Sequence, residues 1–210
     1  MTVSGVLSWL DFAGIFIFAV SGGLLAARKQ LDPMGAVIVG GAAGMGGGTL
    51  RDLLLDTPVY WVRAPEYLAV AIGGALAGYL ASTALVGRRQ QALVWADAVG
   101  LSVFAVGGAQ AALAVDASAP IAVLMGLMTA AFGGLLRDMI VNDVPLILKE
   151  EIYALAALAG AAAYVGALRF GIAPDASAIG AALIAFAVRA AAIVYGWRLP
   201  RVGRGQRPEL

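Results

Sequence analysis

Gly47-Gly48-Thr49-Leu50-Arg51-Asp52 recurs eighty-six residues later as Gly133-Gly134-Leu135-Leu136-Arg137-Asp138, and each copy lies inside a segment otherwise apolar enough to cross a membrane. At the same offset Trp9, Asp11, Gly14, Phe18, Ala19, Val20 and Gly22 return as Trp95, Asp97, Gly100, Phe104, Ala105, Val106 and Gly108, with no gap from Trp9 to Asp52. Glycine weakens a helix, and an arginine surrounded by lipid is costly. A pattern that places both twice at matched depth therefore points to polar chemistry inside a helical bundle.

Composition sets the class. Of 210 residues, 61% are hydrophobic and 13% charged, and the mean hydropathy is +0.89. That leaves too little polar surface to coat a soluble globule, so the sequence predicts an all-α integral membrane protein. Cysteine and histidine are both absent, which excludes disulfides, thiolate or imidazole metal sites and histidine-dependent base catalysis. Serines such as Ser21 and Ser102 lack a histidine partner, and no carboxylate cluster has metal-site spacing. Neither an enzyme nor a cofactor is expected, and with a net charge of +1 nucleic acid is not an expected partner. No cleavable signal is expected either, because the first apolar segment starts at Val6 without a basic leader and belongs to the repeat.

Runs of about 20 apolar residues, the length that crosses a hydrocarbon core, predict seven spans: Leu7–Ala27, Met34–Leu55, Glu66–Val86, Trp95–Val115, Pro120–Val141, Ile152–Phe170 and Ala176–Trp197. Threading them alternately gathers Arg28, Lys29, Arg88, Arg89, Lys149, Arg198, Arg201, Arg204 and Arg207 on one side, against Arg63 and Arg169 on the other. By the positive-inside rule the amino terminus lies outside and the carboxyl tail in the cytoplasm, as in a multi-pass protein of the inner membrane. The unit is three spans long, so its second copy enters from the opposite face. The expected organisation is a single membrane domain, with inverted three-helix repeats at 7–86 and 95–170, a seventh helix at 176–197 and a basic cytoplasmic tail at 198–210.

Glycines cluster at Gly40, Gly41, Gly44, Gly46, Gly47 and Gly48 in the second span and at Gly126, Gly133 and Gly134 in the fifth. One reading is a break or kink at Gly46–Gly48 that leaves the carbonyls around Gly44 and Met45 at a negative helix end, able to coordinate a cation. The other is close helix packing. Arg51 and Asp52 are sequence neighbours, roughly 100° apart around a helix, so each is expected to need a further partner. The same holds for Arg137 and Asp138. The aspartates suit attraction of cations; the arginines suit either gating or a structural ion pair. Arg189, in the last span, is assigned by depth to a latch with Asp138. Asp11 and Asp97, placed in first turns, read as helix caps. Ser21, Thr49, Ser102, Gln110 and Thr129 suit either a wet path or interhelical hydrogen bonds.

The string from Gly46 to Val59, together with the second Gly-Gly-x-x-Arg-Asp at Gly133 to Asp138, resembles the bacterial branch of the trimeric intracellular cation (TRIC) channel family, also described as a glycine-transporter or uncharacterised two-repeat membrane family. The resemblance covers essentially all seven spans. It implies a homotrimer with a pore inside each protomer, passing potassium and also sodium, and it implies kinked second and fifth helices at the glycine clusters. Membrane lipid and permeant cations are the implied partners. No lysine lies within the spans and no long cytoplasmic tail is expected, unlike the animal channels, so their voltage and lipid regulation is not expected to transfer.

The first functional expectation is therefore passive cation permeation. The pathway residues are Gly44, Met45, Gly46, Gly47, Gly48, Thr49, Asp52, Gly133, Gly134 and Asp138, and the gate or latch residues are Arg51, Arg137 and Arg189. Nothing resembles the Thr-Val-Gly-Tyr-Gly filter, so selectivity among cations is expected to be modest. A secondary transporter of a small solute such as glycine is the alternative, since inverted repeats and buried Arg-Asp pairs also serve transporters. A noncatalytic scaffold is the third.

Overall fold

The computed structural model describes residues 5–149 and 152–197. Among them every regular element is helical: α1 Gly5–Arg28, α2 Pro33–Leu54, α3 Tyr60–Arg63, α4 Glu66–Ala81, α5 Arg89–Ala114, α6 Ala119–Ile140, α7 Ala154–Arg169 and α8 Pro174–Tyr195, with a 3-10 turn at Leu146–Leu148. The basic tail at 198–210 lies outside the described residues. Four helices are long and apolar enough to cross a membrane, namely α1 from Asp11 onward, α5, α6 and α8. α4 and α7 are apolar but have 16 residues each, about 24 Å of helix.

Local chemistry sets the ends. Pro33 opens α2 and the Asp32 carboxylate caps it, accepting a bond from the Gly35 amide at 2.7 Å. α2 and α6 stop the same way, with Asp56 and Asn142 at φ 52° and 51° and the Thr57 and Asp143 amides bonded at 2.9 Å to the Asp52 and Asp138 carbonyls. Span limits read from hydropathy shift where polar residues intervene. α4 ends at Ala81 rather than Val86, since the Ser82 and Thr83 hydroxyls bond back to the Tyr79 and Leu80 carbonyls at 2.6 and 2.8 Å. α5 starts at Arg89, six residues before Trp95, because Arg89, Gln90 and Gln91 are good helix formers outside any apolar run.

α1 packs on α2, α4 and α5; α5 packs in turn on α6, α7 and α1, with α8 against α7 and α5. The exterior is apolar, with Leu53, Leu80, Leu183 and Val194 all more than 60% exposed, while Arg137 and Arg189 head the fully buried side chains. This is the inverse of a water-soluble protein, as lipid requires.

The glycine-rich segment does not break: helical structure is continuous from Pro33 to Leu54 and from Ala119 to Ile140. The Gly44 and Met45 carbonyls are therefore not released to coordinate an ion, and the Met45 carbonyl instead accepts the Thr49 hydroxyl at 2.8 Å. The glycines serve a crossing of α2 over α6. A methyl group added at Gly47 would fall 2.0 Å from the Thr129 carbonyl oxygen, and one at Gly133 would fall 2.1 Å from that of Ala43. These two contacts exchange under the eighty-six-residue offset. Gly44 sits against α1, 2.8 Å from the Ile15 carbonyl oxygen by the same measure.

Gly47→Ala and Gly133→Ala should each force α2 and α6 apart and cost about 1–3 kcal/mol, in line with overpacking of a close-packed core. Gly73→Ala, with nothing within 4 Å of the added methyl, should leave stability unchanged. Thermal unfolding of detergent-purified variants measures the contrast.

Candidate functional site

The two homologous helices α1 and α5 lie side by side and antiparallel. Phe18 and Phe104, each the duplicate of the other, stack with centroids 5.2 Å apart, Phe104 against Gly14 and Phe18 against Gly100. Both rings are buried, as are Ile15 and Leu101 beside them. This dry centre separates two polar clusters. Asp11 lies on α1 roughly 10 Å to one side of Phe18, and Ser21 roughly 5 Å to the other.

The cluster beyond Ser21 is sealed. Arg137 is fully buried; its Nε donates to Asp138 Oδ1 at 2.8 Å, and its Nη1 donates to Asp97 Oδ1 at 2.7 Å and to the Ser21 hydroxyl at 2.8 Å. Asp138 Oδ2 accepts the Leu146 amide at 3.0 Å. Tyr153 closes the cluster: a methyl group at Gly134 would meet both its hydroxyl and Asp97 Oδ1 at 3.2 Å. Arg189, from α8, lies over the Tyr153 ring 5.2 Å from its centroid.

The duplicate cluster around Asp11 is open. Arg51 Nε donates to Asp52 Oδ1 at 2.7 Å, and Asp52 Oδ2 accepts the Tyr60 amide at 2.9 Å, matching the bonds of Asp138. The guanidinium then lies over the Tyr60 ring, 5.7 Å from the centroid. No ion pair joins Arg51 to Asp11 among the described residues. Instead a pocket of about 40 Å³ opens between them, lined also by Gly48, Tyr60, Tyr67 and Phe104, large enough for water.

Several expectations are corrected here. Arg51 and Asp52, and Arg137 and Asp138, bond to each other as sequence neighbours, because the long arginine side chain curls back to present Nε to the next residue, and each also has the further partner expected of it. The Arg189–Asp138 latch does not form: both Asp138 oxygens are engaged by Arg137 and the Leu146 amide, and Arg189 faces Tyr153. Asp97 is no helix cap, since α5 begins eight residues earlier and Asp97 is Arg137's interhelical partner. Asp11 likewise lies inside α1. The duplication of Asp11 and Asp97, and of Tyr67 and Tyr153, was the signal that marks them. Of the glycines, Gly48 and Gly134 border the clusters, whereas Gly46 meets Leu136. Met45, Gly46 and Thr49 instead line an apolar groove of about 300 Å³ between α2 and α6, where Thr49 accepts the Trp61 indole N–H at 2.9 Å.

Outside the helices, Arg28 donates to Gln90 and to Asp143, and Lys29 lies 3.8 Å from the same carboxylate. Partial burial raises the Asp143 carboxyl, but the Val144 amide and the Lys149, Lys29 and Arg28 cations outweigh it and hold the group below the usual carboxylate range. The clasp ties the α1 end and the α5 start to the loop that carries Leu146.

The sequence model of a family described as glycine transporter matches twice, over residues 8–83 and 94–169. The chain is 36% identical to the UPF0126 inner membrane protein YadS of Escherichia coli K12 over 91% of its length and 94% of that protein's. It is 35% identical to a UPF0126 membrane protein of Vibrio cholerae, over 94% and 83%. Among solved structures it is similar to the TRIC trimeric intracellular cation channel orthologue of Rhodobacter sphaeroides, with 44% identity, a TM-score of 0.87 and 91% and 99% coverage. A prokaryotic TRIC channel solved in 0.5 M KCl superposes with a TM-score of 0.87 at 30% identity, over 94% of this chain and 100% of the other.

Removing Asp97 takes one of two carboxylates from a buried guanidinium that keeps Asp138, so Asp97→Asn should cost about 1–3 kcal/mol. Adding Arg137→Gln should recover part of that loss, which a double-mutant cycle on thermal unfolding reads directly. Asp143 has a depressed folded-state value, so its contribution is in place above the ordinary carboxylate range and is lost as pH falls through it. Asp143→Asn should accordingly lower Tm slightly at pH 7, with the difference from the parent shrinking as pH falls below the ordinary carboxylate range.

Proposed function

The chain belongs to the bacterial branch of the TRIC channel family, the branch whose sequence model is described as glycine transporter, and from that footing we propose that it is a passive channel for monovalent cations. The observation that carries the reading is the charge of the open cluster. Arg51 lies between two carboxylates: Asp11, which lines with it a water-sized pocket that ends on Phe104 of the Phe18–Phe104 stack, and Asp52, which it bonds behind that pocket. A negative vestibule concentrates cations and repels anions.

In this reading seven helices span the membrane, α1, α2, α4, α5, α6, α7 and α8, as two inverted three-helix repeats with α8 appended. The antiparallel pairing of α1 with α5 supports the inversion. The end that gathers Arg28, Lys29, Arg88, Arg89 and Lys149 faces the cytoplasm, and the Asp11 cluster faces outward. Ions pass between the repeats along Gly48, Asp52, Gly134 and Asp138. Arg51, Arg137 and Arg189 set the field, and release of Arg137 from Asp97 opens the sealed end. Gly44, Gly47 and Gly133 contribute by holding the helices close, and Met45, Gly46 and Thr49 by shaping the α2–α6 groove. The protein works as a homotrimer in the inner membrane and passes potassium and sodium. The trimeric relative from Rhodobacter sphaeroides and the inner membrane relative from Escherichia coli support this.

A glycine carrier fits the charges less well. Arg51 and Arg137 each already face their own carboxylate, so neither is poised to hold the carboxylate of a solute.

In planar bilayers the purified protein should give discrete unitary currents in potassium, smaller ones in sodium and little chloride permeation. Asp52→Asn and Asp138→Asn should weaken the preference for cations over chloride, read from reversal potentials. Phe18→Ala should raise open probability by opening the dry centre. Saturable, exchange-capable glycine uptake without unitary currents would establish the carrier instead.

A further inference from the structure

The two clusters are duplicates in sequence but not in bonding, and the difference singles out Asp11. Its counterpart Asp97 is bonded to Arg137 at 2.7 Å, and Arg137 is steadied there by the Ser21 hydroxyl at 2.8 Å. The position equivalent to Ser21 in the other half is Gly107, which faces Asp11: a methyl group there would lie 3.1 Å from Asp11 Oδ1. The hydroxyl that steadies the arginine on one side thus has no counterpart on the other. Among the described residues, the Asp11 carboxylate accepts no hydrogen bond and forms no ion pair. It is half-buried, and it opens into the pocket it shares with Arg51, Tyr60 and Tyr67.

A half-buried carboxylate inside an apolar bundle is costly unless a cation or water completes it. The surroundings favour a cation. Arg51 is drawn to Asp52 and to the Tyr60 ring, which leaves the pocket one negative charge in excess. Tyr60 and Tyr67, locked edge to face at 4.9 Å, bring electron-rich faces and hydroxyl oxygens, and Tyr67 is fixed by stacking on Phe12 at 4.3 Å. No second free carboxylate converges on the pocket, so the donor set suits a monovalent ion rather than a divalent one.

We propose that Asp11, with Tyr60 and Tyr67, forms a binding site for a dehydrating monovalent cation in the open half of the path, and that Gly107 keeps this site free of Arg51. The proposal rests on the channel reading, deepening it by naming where the ion first binds.

The test is equilibrium binding of radioactive rubidium to the purified full-length protein by scintillation proximity, alongside bilayer currents. The parent should bind rubidium saturably and release it to potassium. Asp11→Asn should weaken that binding at least tenfold, and Asp11→Glu should retain most of it. Gly107→Ser, which restores the hydroxyl found at Ser21, should draw Arg51 onto Asp11 and also weaken binding; this variant keeps the test decisive if Asp11→Asn does not fold. In currents, Asp11→Asn should lower conductance several-fold in dilute potassium and converge with the parent at molar potassium. Absence of saturable rubidium binding in the parent, or equal binding by parent and Asp11→Asn, overturns the site even if unitary currents are present. Loss of binding in Asp11→Asn with no currents from the parent upholds the site and overturns the channel.

Discussion

A guanidinium with no access to water must be surrounded by acceptors, and the placement of Arg137 constrains most of this protein. Its donors reach α6 through Asp138, α5 through Asp97 and α1 through Ser21, so three helices are fixed in register by one side chain. In hydrocarbon such a group is tolerated only inside the bundle, paired and hydrogen-bonded. The close crossing of α2 and α6 at Gly47 and Gly133, and the loop that returns the Leu146 amide to Asp138, hold that arrangement in place. An apolar exterior and a charged interior follow from the same requirement.

Near-symmetry gives the molecule two versions of this arrangement, and the departures from symmetry decide what each does. Ser21 stands where the other half has Gly107, Leu146 stands where the other half has Tyr60, and Arg189 comes from a helix with no duplicate. Together these changes seal one end and leave the other open to water. Between them the Phe18–Phe104 stack is shared by both halves, so the barrier at the centre belongs to neither.

Much of this is legible in the sequence, for physical reasons that can be traced residue by residue. Composition and the Gly-Gly-x-x-Arg-Asp duplication carry the membrane class and the family, because arginine within an apolar helix is costly and its repetition at one spacing is a specific signal. The ends of the helices were less legible: Arg89, Gln90 and Gln91 extend α5 beyond any apolar run, and that displacement hid Asp97's depth. The glycine run reads equally as a break or as a crossing when only one chain segment is in view. Which it is depends on the Thr129 and Ala43 carbonyls, more than eighty residues away. The neighbour pairs Arg51–Asp52 and Arg137–Asp138 were misjudged by helical angle alone, since side-chain length outweighs the angular separation of the Cβ atoms.

The contacts at the α2–α6 crossing have one more consequence. Gly47 touches Thr129 and Gly133 touches Ala43, so each half supplies both members of the contact in reciprocal form. A half-length chain inserted in both orientations would meet its own twin through the same crossing and through a self-stacked phenylalanine. Joining the halves in one chain therefore calls for no new interface at this crossing, and it lets each half carry its own residue at a matched position, as Ser21 and Gly107 do.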